Sequence, residues 1–477
     1  MRQAHGGDAA MCPARGWIGP SNAANLASDP RWNSGHGGAK MALAPKTPKL
    51  RGIQRTALTM LVVSGCVNYV DRATLAIANP LIRKDLGLSI ADMGLLLSAF
   101  LWAYAFAQLP TGALVDRVGP RKLLAVGLGL WSFAQGMAGL VTGFGQFFIA
   151  RVLLGVGEAP QFPTGARVVR DWFNVKDRGF ATGVFNCAST LGTAISAPLL
   201  TVLMLQFGWR WMFGFMGIAG IIVALVWYFV YRDPTATMLS AQEQRHLVDG
   251  DETGAAQRVT FGEWRRLFAF RTTWGMILGF FGTVYLTWVY MTWLPGYLEM
   301  QRHMSIPKTG WVSSIPYLFG VIGSLFGGWL ADRLVVRGLS PVNSRKYPIV
   351  VSLAGMAIFT VIAAETPSNA VAVACISAAM FLGYVSSATS WALVSVAAPA
   401  NCTASLGGMQ NFGGYLGGAL APTITGFIVQ ATGSFTPALL TGAAIGLASA
   451  IIYLFVVRDP ITESDLGAAV LRGAAAE

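Results

Sequence analysis

Apolar residues run in long blocks along this chain, separated by short polar or glycine-rich stretches. The blocks fall at 56–80, 91–114, 121–141, 146–168, 179–204 and 211–231. They resume at 273–297, 309–332, 347–364, 370–397, 402–430 and 436–457. Most approach the ~20 residues that cross a hydrocarbon core of about 30 Å as a helix. Backbone groups find no water there, so such blocks fold as helices. The pattern predicts an all-α membrane protein with twelve transmembrane helices in two groups of six. The polar stretch 232–272 carries Asp233, Glu243, Arg245, Asp249, Asp251, Glu252 and Arg258 and reads as the connection between the groups. The expected organisation is an N-terminal segment 1–50, a bundle 51–231, a linker 232–272, a second bundle 273–457 and a tail 458–477. Residues 1–40 lack the apolar region of a signal peptide and are expected to be disordered, with Met41 a candidate start.

Composition agrees with a membrane protein. Charged residues make up 12% of the 477, against about 25% in a soluble domain. The net charge of +12 would fit a nucleic-acid partner, but its distribution follows membrane topology instead. With both termini placed in the cytoplasm, five of the 34 Lys and Arg fall in outer loops: Arg83, Lys84, Arg210, Arg302 and Lys308. Arg72 and Arg151 lie within spans, and the rest are on the cytoplasmic side. The positive-inside rule then gives a multi-pass membrane protein with cytoplasmic N- and C-termini. The five cysteines form no CxxC pair, and the four histidines lie outside the spans. Neither a metal site nor the base of an intramembrane enzyme is expected, and no cofactor beyond a coupling ion.

Four charged side chains break the apolar pattern, all in the first half: Asp71 and Arg72 in one span, Arg151 and Glu158 in another. A charge at the bilayer centre costs roughly 2.5–3.5 kcal/mol on insertion scales, and such residues mark transport pathways. At 1.5 Å per residue Arg72 lies roughly 24 Å from the cytoplasmic face and Arg151 roughly 6 Å from the outer face, so in a core of about 30 Å their depths coincide. Glu158 sits two turns deeper than Arg151 on the same face. Asp71 and Arg72 are adjacent, point about 100° apart and cannot face each other. Asp71 is therefore expected to pair with Arg151, leaving Arg72 free in a cavity. The alternative is an ion-pair network that merely joins two helices, a task apolar packing would serve as well.

The halves resemble repeats. Gly112-Ala-Leu-Val-Asp116-Arg117 follows the second span and Gly328-Trp-Leu-Ala-Asp332-Arg333 the eighth. Gly183, Asn186, Leu191 and Gly192 of the fifth span are echoed by Gly408, Asn411, Leu416 and Gly417 of the eleventh. Parallel six-helix repeats imply a binding site at their interface. Aligning Pro80 with Pro295 puts Leu286 and Thr287 where Asp71 and Arg72 stand. The second half thus lacks those charges and is expected to offer hydroxyl, amide and aromatic groups.

The run Gly112-x-x-x-Asp116-Arg117-x-Gly119-x-Arg121-Lys122 resembles the signature loop of the major facilitator superfamily. That resemblance covers roughly 50–460 and implies two pseudo-symmetric six-helix bundles, with Gly112, Asp116, Arg117, Gly119, Arg121, Asp332 and Arg333 in cytoplasmic gating. Three further runs are similar to the anion:cation symporter family: Asn68-Tyr69-Val-Asp71-Arg72, Arg151-x-x-x-Gly155-x-Gly157-Glu158-Ala159-Pro160 and Trp209-Arg210-Trp211-Met212-Phe213. Thr292-Trp293-Leu294-Pro295 belongs with them. Among its members the match resembles bacterial sugar-acid:proton symporters. The resemblance implies substrate contacts at Tyr69, Arg72, Trp391 and Asn411. Ser189 stands where the family has a Gln, and Asn186 is a further candidate through its repeat partner.

These readings converge on proton-coupled uptake of a small organic anion by a monomer in the lipid bilayer. The expected cargo is a sugar acid such as galactonate, glucarate or a hexuronate. Arg72 would bind the carboxylate, Glu158 would carry the proton, and Asp71 with Arg151 would respond to it. Carriers of phthalate, hydroxyphenylacetate or tartrate are the nearest alternative. A drug:proton antiporter is disfavoured by the arginines and by the absence of a Gly-Pro-x-x-Gly-Gly run in the fifth span. A transporter-derived sensor would need a larger signalling domain. A membrane enzyme would need a nucleophile–base or metal constellation in the spans.

Overall fold

The computed structural model describes residues 46–234, 237–248, 261–397 and 402–462. The segment 1–40 with Met41, the linker residues Asp249, Asp251, Glu252 and Arg258, and most of the tail lie outside them. Fifteen helices follow one another: α1 Pro48–Leu86, α2 Ile90–Val118, α3 Pro120–Ala138, α4 Phe144–Glu158, α5 Gln161–Trp172, α6 Val175–Val230, α7 Ala241–Val248, α8 Phe261–Leu267, α9 Arg271–Met300, α10 Ile306–Val312, α11 Ser314–Val336, α12 Asn343–Glu365, α13 Asn369–Ala397, α14 Thr403–Thr432 and α15 Thr436–Val456.

Among the described residues nine helical segments are long and apolar enough to cross a membrane. One of them, Phe180–Val230, holds two crossings, because α6 breaks at Gly208, where φ is 83°. The two remaining crossings are α3 and the pair α4–α5. The latter bends at Ala159-Pro160, since proline cannot donate to the preceding turn. The described residues thus make twelve crossings of an all-α membrane protein.

Local signals set the helix ends. The Thr47 hydroxyl accepts from the Leu50 amide at the start of α1, and Gly87 closes that helix in the left-handed region at φ 65°. Ser89 and Asp92 cap α2 reciprocally.

Within the first half α1 packs on α6, α2 on α4, and α3 on α6. Within the second half α9 packs on α14 and α15, α11 on α13, and α12 on α13 and α15. The halves meet mainly through α2 with α14, α11 and α10 with α6, and α9 with α1.

Among the described residues, the side-chain contacts across the halves gather at one end, away from the face where α1 begins and α15 ends. Asn79 approaches Gly296, and Arg83 reaches the Met300 sulfur. The Ile90 amide donates to Gln430, and Thr423 to Ser98. Gly94 faces Pro422 and Gly426 so closely that a Cβ would lie 2.7 Å from the Pro422 carbonyl oxygen. At the opposite end Asn186, Gly408, Phe412 and Trp391 are exposed. The bundle is therefore closed at the far end and open toward the terminal face.

A seam between α1 and α4–α5 positions the charged groups. On α1 the residues Leu50, Gln54, Ala57, Leu61, Ser64, Asn68, Asp71, Leu75, Ala78 and Ile82 are all buried. On the partner Phe147, Arg151, Leu154, Glu158, Gln161, Gly165, Val168 and Trp172 are buried. Both sets alternate steps of three and four, the spacing of a single buried face on a helix. The helices run antiparallel, and polar rungs tie them. Gln54 Nε2 donates to the Trp172 carbonyl (2.7 Å), and Gln161 Nε2 donates to Ser64 Oγ (2.9 Å). Lateral support comes from Gln135 on α3, which donates to Thr74 Oγ1 (2.9 Å).

Candidate functional site

Above Gln161 the same seam brings the four charged residues together. Arg72 Nε donates to Glu158 Oε2 at 2.7 Å, with both side chains buried. The expected pairing of Asp71 with Arg151 does not form. Neither Asp71 oxygen has a hydrogen-bond partner, and Arg151 Nε donates to the Leu96 carbonyl (3.4 Å). The rotation of α1 explains the difference. Asp71 lies on the seam stripe and turns toward the Trp131 indole on α3. Arg72, about 100° further round, meets Glu158. Arg72 is accordingly not free, although its Nη2 has no partner.

Aromatic rings hold both arginines. The Arg72 guanidinium lies over Tyr69 (4.8 Å), Tyr104 (4.9 Å) and Phe100 (5.0 Å). Arg151 lies over the same Phe100 ring (5.1 Å). Ring faces stabilise cations without neutralising them, so the guanidinium edges stay able to donate. One cavity between the halves is lined by Tyr69, Arg72, Phe100 and Arg151 from the first half, by Thr193 and Ser196 on α6, and by Trp288, Thr292 and Tyr317 from the second. The hydroxyls of Thr193, Ser196, Thr292 and Tyr317 donate to backbone carbonyls of Ser189, Thr193, Trp288 and Tyr290. Their remaining capacity is to accept. The cavity thus offers guanidinium groups from the first half and hydroxyl acceptors from both halves.

The other residues singled out from the sequence are distributed as follows. Tyr69 contacts Arg72, and Ser189 lies against Tyr69 and donates to the Asn186 carbonyl (2.7 Å). Asn186 is exposed, Asn411 is half-buried one turn before Tyr415, and the Tyr415 ring meets Tyr104 at 5.1 Å. Trp391 is 47% exposed and packs edge-on against Phe280. No hydrogen bond, ion pair or ring contact among the described residues joins Trp391, Asn186 or Asn411 to the arginines. They lie toward the terminal face.

In the signature loop the Asp116 side chain and the surroundings of Gly112 lie outside what the structure describes, and Arg117 is exposed. Gly119 adopts φ 89°, which a Cβ would strain, and turns the chain into α3. Arg121 donates to the Tyr228 carbonyl (2.8 Å), and Trp227 Nε1 donates to the Arg121 carbonyl (3.1 Å). Asp233 meets the Arg121 amide at the start of α3, so the loop is pinned to the end of α6. The repeat is looser. Asp332 is 3.6 Å from Arg345 with its own side chain exposed, and Arg333 is exposed.

Sequence reasoning passed over Asn68, Gln161, Tyr104, Phe100 and Trp131. The first two carried a signal, since Ser64, Asn68 and Asp71 repeat at the stripe spacing, as Glu158 and Gln161 do. The aromatic residues gave none, because Trp and Phe are ordinary in spans.

The chain belongs to the Major Facilitator Superfamily, whose model matches residues 61–422. Members of this family are transporters rather than enzymes. The chain is 43% identical over 421 residues to a probable L-galactonate transporter of Escherichia coli K12, covering 88% of this chain and 93% of that protein. It is 35% identical over 413 residues to a D-galactonate transporter of Escherichia coli O6:H1, covering 84% and 95%. It is 32% identical to a hexuronate transporter of Bacillus subtilis, covering 85% and 94%. In fold it is similar to a bacterial homologue of the human lysosomal transporter Spinster. That match has a TM-score of 0.68 and 18% identity, over 87% of this chain and 96% of that one.

Proposed function

We propose that this protein is a sugar-acid:proton symporter, taking up galactonate or a closely related acid across a bacterial inner membrane as a monomer. The observation that carries the reading is the pair of arginines on one Phe100 ring, in a cavity between the halves that hydroxyl acceptors of both halves also line. A sugar acid presents the complement: a carboxylate for the guanidinium donors and hydroxyl donors for the acceptors. The names of the similar proteins point to the same substrate class.

In this reading the terminal face is cytoplasmic, as the distribution of Lys and Arg supports, and the far-end closure makes the state inward-facing. Glu158 occupies the Arg72 edge that the substrate carboxylate needs. Protonation removes the Glu158 charge and weakens that pair. Arg72 is then released to the incoming anion, which would make proton and substrate travel together.

The test is counterflow in proteoliposomes containing the purified chain. Labelled L-galactonate, D-galactonate, glucuronate and glucarate should exchange, and phthalate should not. Exchange of phthalate with no sugar acid exchanging would refute the reading. A pH gradient should then drive accumulation of the exchanging acid, and failure of a sodium gradient to do so would identify the proton as the coupling ion.

A further inference from the structure

A second cavity, of about 480 Å3, lies away from the arginine site, between the parts of α1 and α6 nearest the terminal face. Its deeper walls are apolar: Leu58, Val62 and Val63 on α1, Phe180 and Val184 on α6. Phe180 is 74% exposed, so the groove opens sideways, where a membrane protein meets lipid. On α1 the lining positions Arg51, Arg55, Leu58 and Val62 each follow a seam residue: Leu50, Gln54, Ala57 and Leu61. This face is therefore turned about 100° from the seam. The rim is basic, with Lys46, Arg51 and Arg55 beside one carboxylate, Asp177. Lys46 pairs with Asp177 at 2.8 Å, which leaves the two arginines uncompensated. Both are exposed. Among the described residues Arg51 donates only to the Lys46 carbonyl (3.3 Å), and Arg55 makes no hydrogen bond or ion pair. The first apolar block begins at residue 56, so Arg55 stands at the membrane surface. Val63 lies roughly 12 Å deeper along the helix, most of the ~15 Å of one leaflet.

We propose that this groove binds an anionic phospholipid of the cytoplasmic leaflet, its phosphodiester on Arg51 and Arg55 and one acyl chain along Leu58, Val62, Phe180 and Val184. The inference uses the cytoplasmic placement of the terminal face from the reading above and no other part of it. A guanidinium fork fits two phosphate oxygens, and arginines at i and i+4 on one helix face can grip a single phosphate together. A zwitterionic lipid would bring its own cation toward them. The apolar walls meet a chain that is already in hydrocarbon, so they contribute fit and the headgroup contributes the selectivity. Cations at this end also serve topology, but topology needs only their side of the membrane. It does not need an apolar trough of leaflet depth beneath them.

Native mass spectrometry of the full chain in detergent tests the site without any transport substrate. The chain is titrated with phosphatidylglycerol and, separately, with phosphatidylcholine of the same acyl chains. Wild type should bind one phosphatidylglycerol at least about tenfold more tightly than phosphatidylcholine. Arg51→Gln combined with Arg55→Gln should lose that preference. Arg265→Gln combined with Arg337→Gln, which removes two exposed arginines elsewhere on the same side, should keep it. Val62→Trp fills the trough, leaves the rim intact and should weaken phosphatidylglycerol binding about tenfold. Glycerol 1-phosphate, which has no acyl chain, should not displace the lipid at equal concentration. Wild-type binding by the Arg51/Arg55 variant, or an equal loss in the Arg265/Arg337 variant, would leave only general attraction to a basic face and overturn the proposal. Undiminished binding by folded Val62→Trp, or displacement by glycerol 1-phosphate, would remove the acyl chain from the groove and overturn it equally.

Discussion

Arg72 and Glu158 are ion-paired at 2.7 Å across the α1–α4 seam, while Asp71, next to Arg72 in the chain, has no hydrogen-bond partner. Neighbouring residues on one helix thus face different elements: Arg72 the cavity and α4, Asp71 the interior of the first half. This division separates the group that would hold the substrate from one that would hold a proton.

Arg72→Lys is expected to leave a folded protein whose sugar-acid affinity is at least about tenfold weaker. An ammonium cannot lie flat against Tyr69, Phe100 and Tyr104 and still grip a carboxylate in two places. Binding measured by calorimetry in detergent checks it. Affinity within about twofold of wild type would place the carboxylate on Arg151 instead.

Glu158→Gln should keep substrate exchange and lose proton-driven accumulation. Glutamine matches the protonated carboxyl in size and leaves Arg72 without a charged competitor. The check is counterflow beside pH-driven uptake in the same liposomes. Undiminished accumulation would leave Asp71 to carry the coupling proton.

Gly94→Val should hold the far end open. Its Cβ would stand 2.7 Å from the Pro422 carbonyl and 3.3 Å from Gly426, and backbone atoms there cannot yield as a flexible side chain would. Spin labels at the far ends of α2 and α14 should report a longer mean separation than in wild type, with slower exchange. An unchanged distance distribution would show that the halves close elsewhere.

Acidification should loosen α7. Thr47 donates to Glu243 Oε1 (2.5 Å), and Glu243 caps its own helix by accepting from the Ser240 amide (2.8 Å). The Thr47 hydrogen bond holds the Glu243 carboxyl below its usual 4.5, against the opposing effect of burial. A lowered carboxyl contributes stability that is full above 4.5 and lost as pH falls through the lowered value. Hydrogen exchange over α7, compared with Glu243→Gln at each pH, should differ at neutral pH and converge in acid. Equal exchange at neutral pH would show that the carboxylate does not hold the helix.

The sequence by itself determined the fold class, because length and apolarity suffice when every backbone group in the bilayer must be satisfied within a helix. It also marked four of the buried charges, since Asp71, Arg72, Arg151 and Glu158 stand out against apolar spans, whereas the burial of Glu243 and Lys346 was not legible. The common level of the two arginines was legible too, because helical rise converts residue number into depth, and both guanidinium groups indeed lie on Phe100. Which carboxylate meets which arginine was decided only by the tertiary structure. Depth fixes one coordinate of a side chain, whereas pairing also needs the rotation of each helix about its axis. On α1 that rotation is set by packing along its whole length, chiefly on α6, with the stripe from Leu50 to Ile82 turned inward, a property of many positions that no single charged residue reveals.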